Sequence, residues 1–132
     1  MTPLAPIRGL CYTAGVQELR TTWMPRLIRL WQRGRPGIRS DRLTRDELRQ
    51  VSASVRELSA GLTGSRQLAG RRYMNDPRLL GAYLLYFWPV SYAQVRYVLE
   101  ELGVDIGRVL DAGCGPLSST CALLDYGASS VT

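Results

Sequence analysis

The sequence predicts an α/β protein in which a helical, arginine-rich region at residues 1–105 precedes a strand–turn–helix unit at residues 106–132. Three observations support this class. Apolar residues recur at helical spacing through the first region. The segment Val109–Leu117 is a short apolar strand that leads into a glycine turn. A helix-like stretch at 117–126 follows, and residues 128–132 are interpreted as the start of a second strand.

Two helices are predicted in the first half of the chain. Residues 14–32 carry apolar side chains at helical spacing, and Pro25 marks a break or a restart. Thr44 followed by Glu47 is a capping box that begins the second helix, and Gly61 is expected to end it.

Two further helices are predicted before the strand. Asp76 followed by Pro77 is typical of a helix start, and Pro89 is expected to stop that helix. A fourth helix then runs to Gly103. The uncharged run Leu79–Val95 is too short for a membrane span, so we expect it to form a buried helical hairpin.

The distribution of charge suggests a partner. The net charge is +6, and residues 1–40 hold seven arginines and one acid, whereas the remainder balances ten arginines with ten acids. A basic segment on a neutral body favours contact with nucleic-acid phosphates, and Trp23 and Trp31 are available to stack on bases. The alternative is a solvated helical face. The candidate RNA contacts are Arg26, Arg29, Arg33 and Arg35.

Composition excludes several functional classes. The chain has no histidine, so it contains neither a histidine-based triad nor a histidine metal site, and we expect no metal. Its three cysteines form no C-x-x-C pair, and an odd number argues against a disulfide framework. The N-terminus lacks an apolar signal core. These features predict a cytoplasmic protein with no membrane association.

The glycine turn indicates the chemistry. Gly113 and Gly115 lack β-carbons, so the backbone can turn sharply and lie against a ligand, although an ordinary strand-to-helix turn has the same pattern. Ser118 stands where a dinucleotide fingerprint has its third glycine, which disfavours NAD. Asp111 completes D-x-G-x-G, which resembles motif I of the class I S-adenosylmethionine (SAM) dependent methyltransferases. The small side chain of Cys114 suits this loop.

The segment Tyr73–Leu117 resembles the small-ribosomal-subunit methyltransferase-like family. Its members pair a helical N-terminal region with a class I methyltransferase fold and associate with the small ribosomal subunit in bacteria or mitochondria. The more specific part of the resemblance is Pro89-x-x-Tyr92 at a fixed distance before the glycine turn. The sequence departs from the family at Phe87, where an arginine is common, and at Leu117, where motif I has a small residue.

The resemblance implies that SAM is the cofactor and that Tyr92, Asp111, Gly113, Cys114 and Gly115 lie at its site. It also implies that residues 106–132 begin a Rossmann-like domain that is truncated, so this chain alone is expected to be inactive. The expected function is the N-terminal portion of a SAM-dependent methyltransferase that acts on the small ribosomal subunit or its RNA. A non-catalytic ribosome-assembly or RNA-binding factor is the alternative, and an NAD-type dehydrogenase fragment is less favoured. No catalytic residue is nominated.

Overall fold

A computed structural model describes residues 11–33, 35–37, 39–64, 68 and 73–132, so residues 1–10 of the basic segment lie outside the described part. Six α-helices account for most of the described chain: α1 (Cys11–Glu18), α2 (Met24–Trp31), α3 (Arg45–Ser59), α4 (Pro77–Ala82), α5 (Trp88–Leu102) and α6 (Ser118–Tyr126). Shorter elements are π-helical turns at Leu19–Trp23, Ala60–Gly64 and Tyr83–Phe87 and a 3-10 turn at Tyr73–Asn75. The two strands are β1 (Arg108–Val109) and β2 (Ser130–Val131).

The predicted α/β class, with its Rossmann-like start, is wrong. The described chain is mostly helical, and the sheet it contains has two strands of two residues each. β1 and β2 pair in parallel, with Arg108 opposite Ser130, and the N–H of Asp111 donates to the carbonyl of Thr132 at 2.8 Å. Leu110 is 76% exposed because the described residues supply no further layer to cover it. The apolar residues therefore indicated a strand correctly, but the described residues add only one further strand beside it.

Three predicted helix boundaries are confirmed, but the predicted end at Gly61 is wrong, because the π-helical turn Ala60–Gly64 continues the helix past it. Thr44 Oγ1 accepts a hydrogen bond from the Glu47 N–H at 3.2 Å, and Glu47 Oε2 accepts one from the Thr44 N–H at 2.8 Å. The second of these bonds is the main reason that the pKa of Glu47 is lowered. Asp76 caps α4 by accepting from the Arg78 N–H at 2.8 Å. Gly103 ends α5 with a φ of 59°, a left-handed conformation that favours glycine.

The predicted stop at Pro89 and the helical hairpin are also wrong, because α4, a π-helical turn and α5 form one continuous helix. Pro89 lies in the first turn of α5, directly after the π-helical turn Tyr83–Phe87. Proline lacks an N–H and its ring crowds the carbonyl of the preceding turn, which a wider turn relieves. Pro25 in α2 follows the π-helical turn Leu19–Trp23 in the same way.

The helices enclose two clusters of buried apolar side chains. The larger cluster joins α2, α3, α5 and α6 and contains Leu27, Ile28, Trp31, Val51, Leu85, Trp88, Tyr92 and Ala122. The smaller cluster joins α3 and α4 and contains Leu58, Leu79 and Ala82. Because Ala122 of α6 belongs to the larger cluster, the glycine turn that precedes α6 is anchored on the helical core. In the described ranges, no helix combines the length and apolar character needed to cross a bilayer.

Candidate functional site

The glycine loop, residues 111–117, connects β1 to α6 and turns at its two glycines. Gly113 has a φ of 81° and Gly115 a φ of 50°, both in the left-handed region that other residues adopt only with strain. A β-carbon placed on Gly113 would meet no atom within 4 Å, so the space beside this residue is open. The loop therefore offers bare backbone to its surroundings, as the sequence predicts for a ligand-binding turn.

Leu117 explains one departure from motif I. It is the one non-glycine residue of the described chain with a positive φ, 68°, and it lies immediately before α6. Its N–H donates to the Cys114 carbonyl at 2.9 Å, and its carbonyl accepts from the Cys121 N–H at 2.9 Å. These two bonds hold a conformation that costs a leucine about 1–2 kcal/mol. The position therefore retains the backbone geometry for which glycine is favoured, with a half-exposed side chain added.

Asp111 joins the loop to the first turn of α6. Its Oδ2 atom accepts hydrogen bonds from Ser119 Oγ and Thr120 Oγ1, each at 2.7 Å. These two bonds lower the pKa of the Asp111 carboxyl because they stabilise its charged form. The carboxylate thus stays ionised and fixes the loop against the helix that follows it.

Trp88 supports the loop from the helical core, a role that the sequence analysis missed. Its Nε1 donates to the carbonyl of Pro116 at 2.8 Å, and its side chain is almost fully buried. The ring stacks on Tyr92, with centroids 5.5 Å apart and planes 13° apart. A tryptophan directly before Pro89 in an uncharged run is a signal of burial, but its partner 28 residues later is not visible in the sequence.

Tyr92, a predicted cofactor contact, lies behind Trp88 and is fully buried. Its hydroxyl donates to Asp125 Oδ2 at 2.8 Å, and Arg96 Nη1 donates to the same hydroxyl at 3.3 Å. Burial, followed by the bond to Asp125, raises the pKa of Tyr92. The structure therefore brings Asp111, Gly113, Cys114 and Gly115 together in the loop and places Tyr92 in the core, where it reaches the loop through the Trp88 ring.

Four arginines surround an open cavity of about 420 Å³, here named the arginine pocket. Its charged lining consists of Arg26, Arg29, Arg33 and Arg39, and Leu30 is its apolar member. None of the four forms an ion pair with another residue of the described ranges, whereas Arg96, for example, pairs with Glu18 and Glu100. The structure thus groups three of the predicted RNA contacts and adds Arg39.

The fourth predicted RNA contact, Arg35, lies on an aromatic ring. Its guanidinium carbon is 4.0 Å from the centroid of the Trp31 ring, and that of Arg26 is 5.5 Å from the centroid of Trp23. Arg35 also helps to lower the pKa of Glu47 through its charge. Trp23 and Trp31, which the sequence analysis made available to stack on bases, therefore each form a cation–π contact with an arginine, and Trp31 itself is buried.

A second cavity of about 700 Å³, here named the loop groove, joins the arginines to the glycine loop. Its lining includes Leu30 of α2, Leu80 and Leu84 of the long helix formed by α4, the π-helical turn and α5, the two arginines Arg33 and Arg35, and Pro116 of the glycine loop. Leu30 and Arg33 line both cavities, so the arginine pocket and the loop groove adjoin. Residues about 80 positions apart in the sequence thus form one surface.

Comparisons with protein-family models, with curated proteins and with solved structures give no match to this chain. Function is therefore argued from the loop, the arginine pocket and the groove between them.

Proposed function

We propose that this chain binds SAM at its glycine loop and RNA at its arginine pocket, as part of a cytoplasmic SAM-dependent methyltransferase that acts on the small ribosomal subunit or its RNA. One observation carries the proposal: the loop groove is lined by Pro116 of the glycine loop and by Arg33 and Arg35. An anionic substrate held by the arginines would lie next to the loop, which is the arrangement that group transfer between two bound molecules needs.

The SAM part of the proposal rests on the loop and not on the fold. Gly113 and Gly115 supply bare backbone with open space beside Gly113, and Asp111 is kept ionised by two hydroxyls. Backbone amides and a carboxylate are suited to the carboxylate and ammonium groups of the methionine end of SAM. Methyl transfer depends mainly on positioning, so few catalytic side chains are needed.

The SAM part is tested by comparing two glycine substitutions. Gly113→Val places a branched side chain on a residue with a φ of 81°, whereas Gly107→Val places one in open space on a glycine outside the left-handed region. We expect calorimetry with SAM to show binding by the parent chain and by Gly107→Val, and none by Gly113→Val. A folded Gly113→Val protein that binds SAM as the parent does would refute the assignment of the loop.

The RNA part rests on the unpaired charge of the arginine pocket. Each phosphate that an arginine neutralises releases counterions, with a salt slope of about −0.7 per contact on single strands. Replacing Arg26, Arg29 and Arg33 with Gln should therefore make the slope shallower by about 2. The matched control replaces three arginines of α3 with Gln, namely Arg45, Arg49 and Arg56. Equal effects of the two triple variants would show that net charge, and not this pocket, governs binding.

A second candidate is a non-catalytic RNA-binding or ribosome-assembly factor with the same loop. The observation that favours it is Leu117, whose half-exposed side chain stands where motif I has a small residue. This candidate predicts pocket-dependent RNA binding with no SAM binding by the parent chain. Replacing Leu117 with Gly removes both the side chain and the backbone strain. If that variant bound SAM and the parent chain did not, Leu117 would be the residue that prevents SAM binding.

A further inference from the structure

We propose that the loop groove holds an unpaired base of single-stranded RNA while the adjoining arginine pocket holds the neighbouring phosphates. This proposal rests on the RNA part of the proposed function and adds the form of RNA and the place of the base. It is carried by the contrast between two cavities that share Leu30 and Arg33.

The two cavities differ in chemistry. The arginine pocket is lined by four arginines and one leucine. The loop groove is mostly apolar, with Leu30, Leu80 and Leu84 in its lining, and its two charged members are Arg33 and Arg35. A nucleotide carries a flat base and an anionic phosphate a few ångströms apart, so one nucleotide step presents matching groups to both cavities.

The groove also has the size and a stacking partner for a base. Its volume of about 700 Å³ falls in the range of small-molecule sites. In its lining, the guanidinium carbon of Arg35 lies 4.0 Å from the centroid of the Trp31 ring, and this cation–π contact orients the guanidinium. A planar cation beside apolar side chains is a favourable surface for a stacked base.

Access to the groove requires a single strand. Bases in a duplex are paired and stacked inside the helix, and side chains read them from the grooves, so they cannot enter a cavity between protein helices. Duplex RNA still presents phosphates to the arginine pocket. The structure therefore predicts that both forms of RNA bind by charge and that single strands gain additional affinity from the base.

The test compares three ligands on the parent chain: a short single-stranded RNA of mixed sequence, an abasic strand with the same number of phosphates, and the duplex of the same sequence. We expect the single strand to bind about tenfold more tightly than the abasic strand, which is the effect of stacking one base. Leu30→Ser should remove this difference in affinity between the single strand and the abasic strand.

The control and the contrary outcomes separate the two proposals. Leu30 is 45% exposed, so its replacement does not endanger folding, and Leu48→Ser on α3, at 55% exposure and outside the groove, is the matched control. Equal affinity for the single and abasic strands would overturn the base site while retaining the arginine pocket. Failure of every RNA to bind would refute the RNA part of the proposed function as well. The proposal would also be overturned if a leucine-rich acidic peptide bound in a way that Leu30→Ser abolished, while removing the bases had no effect on RNA affinity. The groove would then be a peptide site.

Discussion

Gly81 of α4 is the residue at which the packing beside the loop groove can be tested most directly. It is buried against Trp31 of α2, and a β-carbon added to it would lie 2.6 Å from Trp31 Cδ1 and closer still to Nε1. Well-packed carbon atoms stand about 3.5–4.0 Å apart, so the indole ring would have to move by about 1 Å. Trp31 belongs to the larger core cluster and is 7% exposed, so its neighbours must move with it.

The expected magnitude follows from two opposing effects. Overpacking of a core costs about 1–3 kcal/mol, and an overlap of this size places Gly81→Ala near the upper end. Alanine in place of glycine within a helix offsets about 1 kcal/mol of that cost. The net loss in the free energy of unfolding is therefore about 2 kcal/mol, which for a chain of 132 residues lowers the melting temperature by roughly 7 °C.

Urea denaturation followed by far-ultraviolet circular dichroism measures this loss. The matched control is Gly64→Ala, because a β-carbon there meets nothing within 4 Å and its φ lies outside the left-handed region. We expect the control to be as stable as the parent chain or slightly more stable. If Gly81→Ala proved as stable as Gly64→Ala, the close approach of α2 and α4 at Trp31 would be refuted, and with it this wall of the loop groove.

Three further predictions concern the cap, the carboxylate and the loop support. Thr44→Ala should lower the free energy of unfolding by about 1 kcal/mol in urea denaturation, whereas Thr44→Ser should not. A Thr44→Ala protein as stable as the parent would show that the capping box is dispensable. The pKa of Asp111 is lowered in the folded chain, so the stability that its carboxylate contributes is present above the unfolded pKa of about 4 and is lost as the pH falls through the folded pKa. Asp111→Asn should therefore reduce the loss of stability as the pH falls below about 4. The same loss of stability in Asp111→Asn as in the parent would contradict this. Trp88→Phe keeps a ring but removes the donor to Pro116, so calorimetry should show weaker SAM binding with RNA binding retained, and equal loss of both would indicate general unfolding.

Local rules predict several helix boundaries correctly and miss the one assigned to Gly61, where a π-helical turn continues the helix. The capping box at Thr44, the cap at Asp76 and the left-handed Gly103 are all confirmed, because each depends on residues within one turn of the chain. The rule that a proline stops a helix fails at Pro89, since a wider turn before it accommodates the ring. Glycines with positive φ occur in the predicted loop, but the extent of the sheet could not be inferred from one apolar strand.

The candidate site was predictable in parts and not as a whole. The sequence shows Arg33 and Arg35, which follow α2, and the glycine loop as separate features about 80 residues apart, and only the packing of α2 and α4 beside Pro116 makes them neighbours. Trp88 was missed for the same reason, because its role depends on a hydrogen bond to a residue 28 positions later. Tyr92 was assigned from a resemblance, which gives no information on which way a buried ring faces.

The π-helical turn Tyr83–Phe87 sets the rotational phase of the long helix. Such a turn contains one residue more than an α-helical turn, so everything after it is rotated by roughly 100° relative to an uninterrupted α-helix. Leu79 and Ala82, which precede the turn, belong to the smaller cluster, and the rotation directs Trp88 and Tyr92, which follow it, into the larger one. Deleting a single residue from this turn would turn the aromatic pair away from its core, so the support of the glycine loop depends on the number of residues in the turn as much as on their identity.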